Sequence, residues 1–348
     1  MTRRPDATDT PTRSSRTPPE IRPAPEVLLL GSAELEAAVP LTAVIDAVER
    51  GYRAAGQDRA GDAPRVRVQH HLSHTVLNVM PALSEGSGAA AVHVYSGGNR
   101  GIPALQKVTL VFDIGTGALA AVIESDWLSW ARTGATGAVA TRHLARPDAA
   151  VLGVIGTGKQ AAAQVMAIAA SRPLRAVYAY SRDATGRTTF ARELTERAGV
   201  EVTALDRPEA VVERCEILST TTTSKVPVFD GAALHSGLHI NAIGAHHPDG
   251  RELDERTMTA SRLFVDDAAR SFQEDGELLL LPDAEQASAL ERATPLGAAV
   301  AGTAEGRRSP DEVTAFLSGG LSGEYLWTSV AILEQARALG LGTRVRIG

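Results

Sequence analysis

The 348-residue chain is 44% hydrophobic and 22% charged, an ordinary globular composition, and at about 100–200 residues per domain it has room for two domains. Its 35 Lys and Arg against 41 Asp and Glu leave a formal charge of −6, no basis for nucleic-acid binding, and no apolar run approaches the roughly 18 residues that span a bilayer. The single Cys215 rules out an intrachain disulfide and fits a reducing cytoplasm, so the expectation is a cytoplasmic enzyme or small-molecule binder.

Residues 1–25 hold six of the 18 prolines among Ser, Thr and Arg, with Ile21 the one large aliphatic after Met1. Such a segment buries too little apolar surface to offset its ordering entropy, and it reads as a disordered tail. From residue 26 to 142 the pattern is mixed. Leu41–Ala55 is apolar at helical spacing. The stretches 65–69, 76–80, 90–95, 105–112 and 119–124 read as strands, separated by Gly-rich turns such as Asp113-Ile114-Gly115-Thr116-Gly117, which suggests an antiparallel or mixed sheet. From 143 onward short apolar runs recur about every 20–25 residues, with helical patterns between them. They are 151–155, 176–180, 202–205, 216–220, 238–243 and 263–266, and they predict a doubly wound parallel Rossmann sheet over 143–314. A last helix is expected near 326–339.

The segment Val151-Leu152-Gly153-Val154-Ile155-Gly156-Thr157-Gly158-Lys159-Gln160-Ala161 joins an apolar strand to a helix of small residues through Gly-x-Gly-x-x-Ala. Gly156 allows the tight turn, Gly158 lets the backbone approach a pyrophosphate, and Ala161 lets the helix sit close to the strand. The free N–H groups of the helix start then face the phosphates. The overlapping Gly153-x4-Gly158-Lys159 is not an NTPase loop, because Gln160 stands where Ser or Thr must hold Mg²⁺. The second strand ends Tyr180-Ser181-Arg182 instead of in Asp or Glu. Arg182 suits a 2′-phosphate and Ser181 can donate to it, so NADPH is expected over NADH or NAD. Asp183, one or two residues late, reads as a helix cap.

Around this loop the sequence resembles the ornithine cyclodeaminase/μ-crystallin family. The resemblance rests on Arg132-Thr133-Gly134-Ala135 through Val139-Ala140-Thr141 and Leu144-Ala145-Arg146, and on Asn241-Ala242-Ile243-Gly244 followed by Arg251-Glu252-Leu253-Asp254. Met80-Pro81 and Asp113-x-x-Thr116-Gly117 add to it, in colinear order over roughly 27–345. It implies a homodimer whose substrate and dimerisation domain comes from both chain ends, 26–142 plus 315–348, with the Rossmann domain inserted. It also implies hydride exchange between nicotinamide and the Cα of a small amino or imino acid. By the same resemblance Arg65 and Arg132 bind the substrate carboxylate, a task for which the guanidinium fork is suited. The expected cofactor contacts are Thr133, Gly156, Thr157, Gly158, Gln160, Ala161, Ser181, Arg182, Thr221, Ile243 and Gly244.

Three residues are candidates for proton transfer. Where the family carries Lys in a GxKxY stretch, this chain reads Ala91-Val92-His93-Val94-Tyr95, so His93 stands in for the lysine; Lys107 on the following strand is the alternative source of an ammonium. Where cyclodeaminases carry Asp, two residues after the NAIG glycine, this chain has His246, with Asp249 nearby but out of register. Glu324 is followed by Tyr325 where the family often has Asp. The nine His residues show no metal-ligand spacing, and hydride transfer needs no metal, so none is expected. The leading expectation is an NAD(P)H-dependent reductase of a cyclic ketimine or α-imino acid. The alternatives are a cyclodeaminase with tightly held NAD and a non-catalytic NADPH-regulated binding protein.

Overall fold

Two sheets are built by one chain that leaves the first, completes the second, and returns. The computed structural model describes residues 26–70, 75–97, 106–244 and 248–347. The expected tail at 1–25 and His246 lie outside the described residues.

The first sheet contains β1 (Glu26–Leu30), β2 (Gly61–Asp62), β3 (Val66–Gln69), β4 (Val76–Ser84), β5 (Ala89–Gly97), β6 (Lys107–Asp113) and β7 (Leu119–Glu124), closed at one edge by β16 (Thr343–Arg346). The order is β16-β1-β7-β6-β5-β4-β2, with β3 also on β4. It is mixed, since β1 runs parallel to β7 while its other pairings are antiparallel. Period-two alternation sets its faces. In β4, Val76, Met80 and Ala82 point inward and are buried, whereas Leu77 and Leu83 point outward and are exposed. The turn after β6 forms because Asp113 Oδ1 accepts both the N–H and the hydroxyl of Thr116, each at 2.8 Å, and Gly117 takes φ +73°.

One helix lies on the inner face, and a second packs on that helix. Leu41–Ala55 buries Val44, Ile45, Val48 and Tyr52, as its spacing predicts. Ser322–Leu339 brings the chain's end back onto the same sheet, with Trp327 packed where a Cβ at Gly51 would come within 2.9 Å of its ring.

The second sheet is all parallel and Rossmann-like. It holds β8 (Val151–Ile155), β9 (Ala176–Tyr180), β10 (Val202–Ala204), β11 (Ile217–Thr220), β12 (His239–Ala242), β13 (Arg262–Val265), β14 (Thr294–Pro295) and β15 (Thr314–Leu317), in the order β10-β9-β8-β11-β12-β15-β13-β14. The order reverses between β8 and β11, which opens a crevice at their carboxyl ends, the place where such sheets bind ligands. One expectation needs correction. A domain boundary between 314 and 315 cuts through β15, whose four buried residues pair with β12 and β13, so the strand belongs wholly to the second sheet. Among the described residues no helix is long and apolar enough to cross a membrane.

Candidate active site

The glycine loop lies at the reversal point. Gly156 follows β8 with φ +103°, and a Cβ there would sit 2.7 Å from Thr221 Oγ1. Gly158 caps the Lys159–Ser171 helix, and a Cβ there would meet nothing within 4 Å, so this stretch of backbone faces open space. Ala161 is fully buried beneath it. Gly156, Thr157, Gly158, Ser181, Arg182 and Thr221 line one cleft of about 570 Å³. The Thr157 hydroxyl donates to Ser181 Oγ at 2.9 Å, and Arg187 donates to the Ser181 carbonyl at 3.0 Å. Asp183 Oδ1 accepts the Thr185 N–H at 3.1 Å, so it caps the next helix as expected.

Ile243 and Gly244 form the wall beside Thr221 and do not line this cleft. Ile243 is buried, and a Cβ on Gly244 would come 2.2 Å from the Thr222 carbonyl. Buried Glu252 fixes this wall by accepting from the Thr220 hydroxyl at 2.8 Å, the Gly244 N–H at 2.9 Å and the Thr222 N–H. Asn241 donates to Thr141 Oγ1 at 3.0 Å, tying β12 to the Asp126–Leu144 helix.

That helix carries one wall of a second cleft. Gly134 and Gly137 lie where it crosses Lys159–Ser171: a Cβ at Gly134 would be 2.5 Å from the Ala163 carbonyl, and one at Gly137 would be 1.9 Å from Gln164 Oε1. The two backbones approach because no side chain separates them. Arg132 and Thr133 are thereby held beside the glycine loop. With Gln160 they line a cleft of about 440 Å³ that also takes in Arg65, Arg67, Asn78, Tyr95, Lys107 and Tyr325. Gln160 Oε1 is buried without a hydrogen-bond partner. An unpaired acceptor between the clefts, open backbone at Gly158 and the strained Gly156 turn together fit a dinucleotide stretched from Arg182 to Thr133.

The second cleft is cationic. Arg132 donates to Glu324 Oε2 at 2.8 Å and to the Tyr325 hydroxyl at 3.0 Å, and its guanidinium lies 4.6 Å from the centre of the Tyr325 ring. Glu324 and Tyr325 hold its pKa above the ordinary arginine value although burial opposes this. Arg65 donates to the Gly319 carbonyl at 3.1 Å, and its Nε has no partner. Lys107 Nζ is 3.3 Å from Asp126 Oδ1.

Behind Arg132, Glu324 Oε1 lies 2.7 Å from the Tyr52 hydroxyl, which also contacts Asp266 Oδ1. Both contacts can be hydrogen bonds only if one carboxyl carries a proton, because a phenol has one to give. Burial and the charge of Glu324 raise the pKa of Asp266, which suits it to that part. None of these four side chains is grouped by sequence spacing. The departure at Tyr325 was visible, but its contact with Arg132 was not.

His93 requires correction. It is fully buried and does not line the cleft; its ring stacks on Tyr325 at 3.7 Å, and Nδ1 is 3.0 Å from Thr109 Oγ1. Burial, then the charges of Arg132, Lys107 and Arg65, lower its pKa to about 2. The imidazole is therefore neutral and cannot act as a proton donor near neutral pH. Of the two candidates for the missing lysine, Lys107 is the one on the cleft.

The comparisons agree with this architecture. The model of the ornithine cyclodeaminase/mu-crystallin family matches residues 26–339. Alanine dehydrogenase of Archaeoglobus fulgidus is 28% identical over 323 residues, 92% of this chain and 98% of that protein. The structure of Thermococcus litoralis Delta(1)-pyrroline-2-carboxylate reductase in complex with NADH and L-proline superposes with a TM-score of 0.85 at 31% identity, covering 92% of this chain and 100% of that one. An archaeal alanine dehydrogenase dimer with bound NAD gives 0.84 at 28% identity, covering 93% and 100%. The chain belongs to the ornithine cyclodeaminase/mu-crystallin family and is a nicotinamide-dinucleotide-dependent oxidoreductase acting on carbon–nitrogen bonds.

Proposed function

We propose that this enzyme reduces α-imino acids, cyclic ketimines included, to amino acids with NADPH, and runs the reverse oxidation. The observation that carries the reading is the short step between the two clefts: Gly158 lines the cofactor cleft, and Gln160, two residues on, lines the second cleft together with Arg132 and Thr133. Arg132 and Thr133 are consecutive on a helix packed backbone to backbone on the glycine-loop helix, so a carboxylate held by Arg65 and Arg132 has its Cα beside the nicotinamide end of the cofactor cleft. When bound, the reduced nicotinamide supplies hydride to the C=N carbon. The guanidinium of Arg65 offsets the substrate carboxylate, and the arm of Arg132 is aligned by Glu324 and Tyr325. Lys107 supplies the ammonium that hydrogen-bonds and protonates the amine as it forms. No carboxylate lines the second cleft among the described residues, so the ammonium of ornithine or lysine has no counter-charge there.

Arg182 at the end of β9 supports NADPH over NADH; Asp183, which also lines this cleft, has Oδ1 engaged as a cap, and the Ser181 hydroxyl donates to its carbonyl at 3.2 Å. Losing one charge-assisted bond to a 2′-phosphate costs about 1.5–3 kcal/mol, so Arg182→Ala should weaken NADPH tenfold to a hundredfold and NADH little, as read by fluorescence titration. A clear native preference for NADH would overturn the NADPH reading. The protein is further proposed to pair with a second copy through the outer apolar face of its first sheet.

The test is NADPH oxidation with a panel comprising Δ1-pyrroline-2-carboxylate and the imines formed by ammonium with pyruvate, oxaloacetate and 2-oxoglutarate. Oxidation with at least one member is expected, dependent on ammonium for the 2-oxo acids and independent of it for the cyclic imine. Oxidation with none, or ammonia release from ornithine with catalytic NAD, would overturn the proposal.

A further inference from the structure

The row of side chains that crosses the first sheet beneath the substrate cleft contains more positive charge than one carboxylate can offset. Arg67 pairs across β3 and β4 with Asn78, Asn78 across β4 and β5 with Tyr95, and Tyr95 across β5 and β6 with Lys107. All four line the cleft. Arg65 lies two residues before Arg67 on the same face, about 7 Å away along the chain at about 3.4 Å per residue. Val66 and Val68, the intervening and following residues, alternate to the opposite face; all four β3 residues are exposed, so Arg67 stands at the open rim of the cleft.

The charges of this cleft are matched unevenly. Arg132 has Glu324, and Lys107 has Asp126. Among the described residues Arg65 bonds a carbonyl, and neither it nor Arg67 has a carboxylate partner. An α-carboxylate on Arg65 and Arg132 leaves Arg67 unmatched, with the Asn78 side chain between it and the rest of the row. A guanidinium in that place repels a cationic substrate side chain, adds nothing for a methyl or methylene one, and matches an anionic one.

We infer that Arg67 is a specificity-determining residue for a second anionic group, so that the substrate is an imino acid with an acidic side chain and the product an acidic amino acid. This rests on the α-imino acid reading above and narrows it.

The experiment compares kcat/KM for the ammonium imines of oxaloacetate and 2-oxoglutarate with that of pyruvate, in the native enzyme and in Arg67→Gln. A native preference of at least tenfold for a dicarboxylate, cut at least tenfold by Arg67→Gln, is expected, whereas Arg65→Gln should lower all three. Turnover with no dicarboxylate preference, or with one that survives Arg67→Gln, would overturn this inference and leave the reductase standing. If no imine is turned over, the reductase reading fails and binding decides the subsite. Thermal stabilisation of the NADPH-loaded protein by succinate over butyrate, lost in Arg67→Gln, would support it, and equal shifts would overturn it.

Discussion

Arg132 works through its neighbours. Two of its nitrogens are occupied by Glu324 and Tyr325, which fix the guanidinium at the wall of the cleft. Removing one partner of a buried charge pair costs about 2–5 kcal/mol. Arg132→Ala should therefore reduce kcat/KM by a factor of about 30 or more while NADPH affinity stays within a few-fold, as measured by steady-state kinetics and cofactor titration. Unchanged kcat/KM would place the carboxylate elsewhere. His93 makes a different prediction. Its folded-state pKa lies near 2, far below the ordinary 6.5, so its ring nitrogen shifts should not move between pH 8 and 5 in NMR spectra. A depressed histidine pKa contributes stability fully above 6.5 and loses it as pH falls towards the folded value. His93→Asn should thus flatten the decline of Tm below pH 6.5. A titration midpoint near 6.5 would refute the buried, neutral assignment.

The crossing of the Asp126–Leu144 and Lys159–Ser171 helices couples the substrate grip to the cofactor loop. At Gly134 the obstacle to a side chain is the Ala163 backbone carbonyl, which cannot rotate aside as a side chain could. Overpacking of this kind costs about 1–3 kcal/mol. Gly134→Ala should lower Tm by several degrees and weaken both NADPH and substrate, because the helices must separate. A variant with native Tm and native kinetics would show that the contact does not set the geometry. This crossing also shows what was readable. The Arg-Thr-Gly-Ala segment and the glycine loop stand out as local patterns, and β8, β9, β11 and β12 stand out as apolar runs bounded by turns. β15 was missed because its four residues sit in an irregular region, and their burial comes from β12 and β13, which are remote in sequence. β16 was missed because Thr-Arg-Val-Arg reads as polar; it is an edge strand held by β1. The Tyr52–Glu324–Arg132 chain depends on helices from opposite ends of the protein, so no local spacing could reveal it. His93 looked like a proton donor because the ring of Tyr325, which buries it, comes from that same distant helix.

The outer face of the first sheet is the largest feature left over once both clefts are assigned. Alternation that turns Val76, Met80 and Ala82 inward turns Val66 (53% exposed), Val68 (58%), Leu77 (42%) and Leu83 (51%) outward, with Val79, Val92, Val94 and Leu110 half-buried between them. Isolated exposed aliphatics are common, but a continuous apolar surface across several strands marks an interaction face. Burying it against a second copy would recover about 25 cal/mol for each Å² of apolar area removed from water. Val68 and Leu77 are direct cross-strand partners, so charges placed there would meet their symmetry mates or desolvate at the interface. Val68→Asp with Leu77→Asp should convert a dimer to a monomer, as measured by light scattering during gel filtration at micromolar concentration. The Rossmann-like sheet does not use this face, so the monomer should retain NADPH binding. A double variant that remains dimeric would place the interface on another surface. If the native protein is itself monomeric at that concentration, the pairing proposed for this face is wrong.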